Sequence, residues 1–496
     1  MAVLEQITKG ITSGREIFAN VMEKAGVGTD GKTDGTLSQN ATGAFHSQLA
    51  LGDNVDYMLQ LISEGYSGKF NLIYIDPPFF TKSKFNATVT VADEAGSKHR
   101  IRHLVFDDRF ERSLECYIEN LTVRILLMRE LLASDGLLWI HLDWHSSHYV
   151  KLVLDELMGE KNFVNEVIWH YKSGGSGKKH FSRKHDTLLV YSKTKNYYID
   201  IPQEKSYNRG FKPYNFKGVK EYSDEKGWYT LVNMKDVWSV DMVGRTSAER
   251  NGYATQKPME LMKRIILAAS REGDLVGDFF CGSGSFLEAA NELGRRWAGC
   301  DNEKLAISMA RKRLIHCKAD FDYKCLQEDS VLAGRAVIRV ASAEPLENGR
   351  KLLRCRLAEF KPEIDTGYIQ LNDRKYIEAA LENDTLQLVD YVLVCKTTEA
   401  SGSRADGADS LNRGALSRDA SGHGAVGASG DANGEVGTSG HGAVGASGHG
   451  ANAGRFSADI EGILEGGFDD MTIMSDDGTA IIVVDIFGRE YLAEIV

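Results

Sequence analysis

The sequence predicts an α/β fold built on a mainly parallel sheet with helices on both faces. Three observations carry that prediction. Short, continuous apolar runs of strand length alternate with longer segments that are apolar at helical spacing. Two of the runs stop abruptly in punctuated loops, Asp76-Pro77-Pro78-Phe79 and Gly282-Ser283-Gly284. The run after the second loop ends on an acid, Asp301.

Taken in order, residues 1–50 read as an N-terminal extension, because 26–43 are rich in Gly, Thr, Asn and Asp. Regular patterning begins at Leu51. Residues 70–75 form a compact apolar strand that ends at Asp76, since two successive prolines cannot donate to a ladder. Leu114, Ile118, Leu121, Ile125, Met128 and Leu132 mark a helix over 114–133. Asp135-Gly136 then turns the chain into a strand at 137–140, followed by a helix near 146–158 and strands at 164–169 and 187–191. Residues 193–250 lose the pattern and read as an insertion between 51–192 and 251–320. The second stretch carries a helix near 258–270, a strand at 274–279, a helix near 285–295 and a strand at 297–300. Residues 321–398 and 456–496 predict a small β-rich C-terminal domain, with a turn at Asp476-Asp477-Gly478. Residues 399–455 lack aromatics and repeat the decapeptide of 421–430 at 439–448, which reads as a flexible linker rather than a metal site at His423, His441 and His449.

The net charge of −11 taken alone argues against a nucleic-acid partner, but its distribution reverses that. Residues 399–496 carry 16 acidic and 5 basic side chains, which accounts for the whole −11. Residues 161–222 carry 13 basic and 5 acidic side chains with 12 aromatics. Lys172, Lys178, Lys179, Arg183 and Lys184 around the loop 173–179 are the candidates for phosphate contacts, with aromatics placed to stack on bases. Seven unpatterned cysteines suggest neither a disulfide framework nor a zinc finger. The start lacks a basic segment followed by an apolar one, and no apolar run is long enough to span a bilayer, so the cytoplasm is the expected address. His141, His145 and His148 with Asp143 span a strand end and a helix, and no metal is expected there.

Two loops carry the chemistry. Gly282 and Gly284 lie between a strand and a helix, where a ligand can approach the backbone and meet oriented N–H groups. Asp301 lies 23 residues after Asp278, a spacing suited to a carboxylate on ribose hydroxyls. Leu287 stands where a third glycine would complete a dinucleotide fingerprint, so a nucleoside-type cofactor is favoured. Asp278 is placed to cap the helix and contact that cofactor. In the other loop, Asp76 and a main-chain carbonyl can accept from an exocyclic –NH₂, the two prolines stiffen the turn, and Phe79 offers a face to a planar base.

Asp76-Pro77-Pro78-Phe79 and Asp278-Phe279-Phe280-Cys281-Gly282-Ser283-Gly284 resemble the acceptor and cofactor motifs of amino-group DNA methyltransferases. Their order, acceptor first, resembles the beta class and the modification methylases of restriction systems, type III included. Leu51-Gly52-Asp53-Asn54, Asn165-Glu166-Val167-Ile168-Trp169, Thr255-Gln256-Lys257-Pro258 and Arg295-Arg296-Trp297-Ala298-Gly299-Cys300-Asp301 extend the likeness over about 50–315. Phe279 replaces a usual Pro, and Ser285 a common Thr.

The resemblance implies S-adenosylmethionine as donor and a seven-stranded Rossmann-like sheet, with the acceptor half in 51–192, the cofactor half in 251–320 and target recognition in 193–250. It places Asp278, Phe280, Gly282 and Gly284 at the donor, Asp301 on its ribose, Asp53 near its adenine and Lys257 near its carboxylate. Asp76, Pro77, Pro78 and Phe79 become the catalytic set. An Asp at the first acceptor position implies adenine in double-stranded DNA, where cytosine-amino enzymes more often carry Ser. Cytosine, RNA or a protein glutamine as acceptor, a nicotinamide oxidoreductase and a silent DNA-binding subunit are the alternatives. A restriction subunit and a homodimer are partners compatible with the resemblance.

Overall fold

In the computed structural model, residues 2–26, 45–92, 97–108, 113–172, 177–244, 247–327, 334–346, 350–364, 366, 369, 371–397, 457–466, 468–476 and 479–496 are described. The glycine-rich stretch after residue 26, the loop at 173–176, the linker 399–455 with its histidines, and Asp477-Gly478 lie outside them.

The chain opens with α1 (Val3–Lys24), in the stretch read as an extension. Ile7, Ile11 and Met22 are buried on its inner face, and Gly10 and Gly14 bring its backbone against a later helix. A Cβ at Gly14 would lie 2.6 Å from Thr122 Cβ, so only glycine allows this approach. Then follow β1 (Gln48–Leu51), α2 (Asn54–Ser63), β2 (Phe70–Ile75), a hairpin of β3 (Lys84–Ala92) and β4 (Lys98–Asp107), α3 (Leu114–Leu131), β5 (Leu132–Leu142) and α4 (Ser147–Leu154). Here β5 is longer than expected. Asp135 and Gly136 lie inside it, and a register irregularity against β2 between Phe70 and Leu72 absorbs them.

Beyond come β6 (Phe163–His170), β7 (His185–Ser192), β8 (Gln203–Tyr207), β9 (Glu221–Asp224), β10 (Gly227–Asn233) and β11 (Val237–Ser239). The inserted segment is thus partly ordered: β8, β10 and β9 form their own antiparallel sheet, and β11 joins the edge of the main one. The remainder comprises α5 (Met259–Ala269), β12 (Leu275–Asp278), α6 (Ser285–Glu292), β13 (Arg296–Asp301), α7 (Lys304–His316) and β14 (Asp322–Cys325), then β15 (Arg335–Pro345), β16 (Lys351–Lys361), α8 (Leu371–Asn383), β17 (Val389–Thr397), β18 (Ser457–Leu464), β19 (Met471–Ser475), β20 (Thr479–Asp485) and β21 (Glu490–Ile495).

Strands β5, β2, β12, β13, β1 and β14 run parallel in that order, and β7 lies antiparallel between β5 and β6. Alternate residues serve the two faces. Ile73, Ile75, Leu138 and Ile140 join the core shared with α1, α2 and α3. Leu72, Tyr74, Leu137 and Trp139 join Leu261, Ile265, Phe286 and Ile307 on the other side. This double cover explains why the strands read as continuous apolar runs.

The sheet continues through β14 and β18 into the β-rich C-terminal region. That region shares a core with the β3–β4 hairpin: Val89, Val91 and Ile101 pack with Ile338, Leu357 and Val483. Arg311 of α7, fully buried, donates to Glu490 Oε1 at 2.8 Å and to the Tyr391 hydroxyl at 2.8 and 3.1 Å. A buried charge held in this way ties α7 to the last strand.

Candidate active site at the strand carboxyl ends

Strands β2 and β12 are neighbours, paired Leu72 to Val276 and Ile73 to Gly277, so their carboxyl ends finish side by side. From β2 the chain continues to β5 on one side, and from β12 to β13 on the other. A crevice opens at such a reversal of strand order. Here it is a cavity of about 410 Å³, lined by both loops singled out in the sequence.

The acceptor loop leaves β2 at Asp76. One carboxylate oxygen, Oδ2, is paired with Lys257 Nζ. The other, Oδ1, is buried and makes no hydrogen bond. The Pro78 carbonyl accepts from the Tyr117 hydroxyl at 3.0 Å. Phe80 and Lys82 adopt left-handed backbone (φ 60° and 58°), a conformation that non-glycine residues hold only when the surroundings impose it. Asp108 imposes it here, accepting from Phe80 N–H at 3.1 Å and from the Thr81 N–H and hydroxyl at 2.7 Å each. Burial pushes the Asp108 carboxyl up, against the pull of those donors. The Phe79 ring stands 5.8 Å from the His141 ring, with Lys257 Nζ 5.6 Å above its face.

The glycine loop needs left-handed backbone at Gly282 (φ 49°) and Gly284 (φ 77°). At Gly284 an added Cβ would lie 2.9 Å from Ala310 Cβ and 3.2 Å from Ala310 Cα, so α7 leaves no room for a side chain. Gly282 N–H donates to Asp301 Oδ2 at 2.8 Å, and Glu303 N–H to its Oδ1 at 3.0 Å. Asp278, 2% exposed, accepts from Phe280 N–H at 3.1 Å, and burial pushes its carboxyl well above the usual range. It does not cap α6, contrary to expectation: the cap position belongs to Gly284, beyond the reach of a side chain bent back on its own loop. Burial, with Asp301 nearby, raises Glu303 to about 7.

Asp53 caps α2 by accepting from Val55 N–H at 2.7 Å and lies 3.3 Å from Arg124. Arg124 also donates to Asn54 Oδ1, while Asn54 Nδ2 donates to the Phe279 carbonyl, which locks this end of the cavity to the glycine loop. Lys257, expected near a donor carboxylate, is paired with Asp76. Six carboxyl groups (Asp53, Asp76, Asp108, Asp278, Asp301 and Glu303) therefore face Lys257 and Arg124 around one cavity. Ser285 Oγ, buried without a partner, adds an unused polar atom beside the glycine loop. A space walled by glycine backbone, unsatisfied oxygens and several carboxyl groups fits a nucleoside ligand bearing cationic groups.

Asp108, Tyr117, Arg124, Asp186 and Glu303 join the site without having been marked in the sequence, and His141, weighed there only as part of a metal set, lies beside them. His141 is fully buried, with Nε2 3.2 Å from Asp186 Oδ2 and Nδ1 3.0 Å from the Tyr74 hydroxyl. Burial tends to raise the Asp186 carboxyl, but the His141 hydrogen bond and the charge of Lys257 hold it below its ordinary value. His145 bonds Asp143 at 2.7 Å. Among the described residues no group of three His, Cys, Asp or Glu is arranged to hold a metal.

The loop between β6 and β7 rises from the same edge as the acceptor loop, since Thr187 pairs with Leu142 at the end of β5. Lys178, Lys179 and Phe181 are exposed, Phe181 at 98%. Lys172 is exposed beside Asp241, at 3.7 Å. The Arg183 guanidinium lies 3.7 Å over the Trp144 ring, and the Lys184 carbonyl accepts from Tyr171 N–H. Trp169 and Tyr191, counted among the aromatics of the basic segment, are core residues and are not available to stack on bases. Phe211, Tyr214 and Phe216 of the insertion are exposed. No described helix is long and apolar enough to cross a membrane.

A model of the DNA methylase family, comprising N6 and N4 methyltransferases, matches residues 70–312. The type II methyltransferase M.EcaI of Enterobacter cloacae is 30% identical over 321 residues, covering 53% of this chain and 68% of the relative. The type II methyltransferase M2.DpnII of Streptococcus pneumoniae is 29% identical over 249 residues, covering 49% and 82%. The DNA adenine methyltransferase YhdJ of Escherichia coli K12 is 25% identical over 303 residues, covering 60% and 88%.

Proposed function

The chain belongs to the N6/N4 DNA methylases, and from that premise we propose that it methylates the exocyclic amino group of adenine in double-stranded DNA, as the modification part of a restriction-modification system. The methyl donor is S-adenosylmethionine, which when bound supplies an electrophilic methyl group on a cationic sulfur.

The observation that carries the adenine reading is Asp76, a carboxylate with one buried oxygen left without a donor, at the mouth of a rigid proline turn. The target base leaves the duplex at a cost of a few kcal/mol. Phe79 stacks on it, while Asp76 Oδ1 and the Pro77 carbonyl accept its two amino N–H bonds. Accepting both draws the nitrogen toward tetrahedral geometry and aims its lone pair across the cavity, toward the side walled by Gly282 and Asp301. Positive charge then grows on that nitrogen, where the Asp76 carboxylate stabilises it. Position and orientation supply most of the acceleration.

Asp301 and Glu303 are the acceptors for ribose hydroxyls, Asp53 lies toward the adenine ring, Asp278 and the Phe280–Gly284 loop border the methionine part, and Lys257 is the cation available to a carboxylate. Lys172, Lys178, Lys179, Arg183 and Lys184 meet phosphates, and the insertion reads the target sequence. Relatives named as type II methyltransferases and as a DNA adenine methyltransferase support DNA as the substrate and adenine as the base.

The test is incubation of the purified chain with duplex DNA and methyl-labelled donor, followed by mass spectrometry of the digested nucleosides. Label in N6-methyladenine is expected. Label in N4-methylcytosine would overturn the choice of base, and unlabelled DNA would overturn the activity.

A further inference from the structure

The hairpin of β3 and β4 belongs to neither of the two motif loops, and its faces differ in chemistry. Ala87, Val89, Val91 and Ile101 are buried in the core shared with the C-terminal region. Thr88, Thr90, Lys98, Arg100 and Arg102 are exposed. The register accounts for the split: Val89 pairs with Ile101, whereas Thr88 pairs with Arg102 and Thr90 with Arg100. Lys98, Arg100 and Arg102 therefore share one face of β4, about 6.8 Å from one to the next. Among the described residues Lys98 and Arg100 form no ion pair, and Arg102 lies 3.7 Å from Asp373 of α8. The two acids of the hairpin turn, Asp93 and Glu94, lie outside the described residues.

The hairpin runs beside the cavity. It follows the acceptor loop directly, and Phe85 lines the cavity wall. Farther along, the strand passes Gly252, where an added Cβ would lie 3.5 Å from the Thr88 carbonyl oxygen. The next residue, Tyr253, is also a wall residue and shares the hairpin core with Leu305 and Ala306 of α7. Helix α7 follows β13, which lies beyond β12 as counted from β2. The basic loop between β6 and β7 lies beyond β5, on the other side of β2. Cations thus stand on two sides of the cavity, one set toward the β6–β7 edge and one on the hairpin toward β13.

A duplex carries one negative charge per roughly 1.7 Å and continues to both sides of any base extruded from it. The loop between β6 and β7 can meet only one of those arms. We propose that the exposed face of the β3–β4 hairpin binds phosphates of the other arm, through Lys98 and Arg100 with Arg102 beside them. The proposal rests on the reading of the chain as an enzyme acting on duplex DNA. The Thr88 and Thr90 hydroxyls offer neutral donors to the same phosphates, and contacts of this kind position a duplex without reading its sequence.

The test is fluorescence anisotropy of the full chain with duplex DNA across a salt series. Lys98→Ala/Arg100→Ala is expected to weaken binding roughly tenfold or more near 0.1 M salt, and to flatten the slope of log K by about 1.8, at roughly 0.9 per phosphate released. Neither side chain lines the cavity, so the loss belongs in the KM for DNA, with kcat and donor affinity within about twofold. Combined with Lys178→Ala/Lys179→Ala, the two losses should multiply, as separate surfaces on one duplex require. Thr90→Glu removes no cation but sets a carboxylate opposite Arg100, and it should weaken binding in the same direction.

An unchanged salt slope in Lys98→Ala/Arg100→Ala overturns the proposal, and is the result expected if this face takes a protein partner instead. Should that variant fail to fold, wild-type affinity in Thr90→Glu overturns it. The underlying reading fails separately, and takes the proposal with it, if the wild-type chain transfers no methyl group to duplex DNA. If the wild type methylates DNA while the variants keep its slope and affinity, only the role of the hairpin fails.

Discussion

Replacing Asp76 with Ala removes the charged one of the two acceptors whose interactions are expected to strengthen as the methyl group moves. In the ground state the carboxylate accepts a neutral amino N–H. In the transition state the nitrogen becomes cationic, and the same hydrogen bond becomes charge-assisted on both sides. Removing one organised group opposite developing charge typically costs about 2.7–4 kcal/mol, or 10²- to 10³-fold in kcat. The low exposure of Asp76, 17% at the side chain, places it at the upper end of that range. The loss belongs in kcat rather than KM, because the interaction is realised mainly in the transition state.

The substitution also frees Lys257, itself 12% exposed. A fully buried cation left unpaired costs several kcal/mol of stability, but the open cavity and the nearby Asp186 carboxylate reduce that cost. Donor affinity is therefore expected to stay within a few-fold. Single-turnover methyl incorporation with saturating DNA gives the rate, and calorimetric titration gives donor affinity on the same sample. Unchanged turnover would refute the role of Asp76. A rate loss explained wholly by weaker donor binding would move Asp76 from the acceptor to the donor side of the site.

Three further outcomes follow from the same geometry. Arg311→Met leaves Glu490 buried without its cation and should lower unfolding stability by about 3–5 kcal/mol in denaturant titrations, with a large part regained in Arg311→Met/Glu490→Leu. Glu303, raised to about 7, binds its proton more tightly folded than unfolded. Relative to Glu303→Gln, the wild type should thus be unpenalised below pH 4.5, lose stability as the pH rises to about 7, and stay lower above it. The difference is at most about 3 kcal/mol, less the share that solvent screens, read from melting curves at pH 5 and 8. Lys178→Ala/Lys179→Ala should weaken DNA binding and flatten the salt dependence of log K by about 1–2, at roughly 0.9 for each phosphate no longer neutralised, in fluorescence anisotropy titrations.

What the sequence made legible is local chemistry. Proline at 77 and 78 ends a strand wherever it occurs, and glycine at 282 and 284 marks left-handed backbone before a helix. Both loops, and the acid at 301, were therefore visible one-dimensionally. The α1 helix was hidden because Gly10 and Gly14, which bring it close to α3, are also the residues that loops prefer. Pairings over long separations left no trace: Lys257 meets Asp76 across 181 positions, and Asn54 meets Phe279 across 225. Composition marked residues 161–222 as basic and aromatic but could not say which rings face inward. Trp169 and Tyr191 went to the core and Phe181 to the surface. Asp108, His141 and Asp186 lie far apart along the chain, and only the fold brings them close to the acceptor loop.

The central claim is that this chain methylates adenine at a defined DNA sequence. The most direct measurement is genome sequencing by a method that reports methylated bases, on cells with and without the gene. N6-methyladenine is expected at one short recurring sequence, present with the gene and absent without it. An unchanged methylation map, or disappearance of N4-methylcytosine instead, would contradict it.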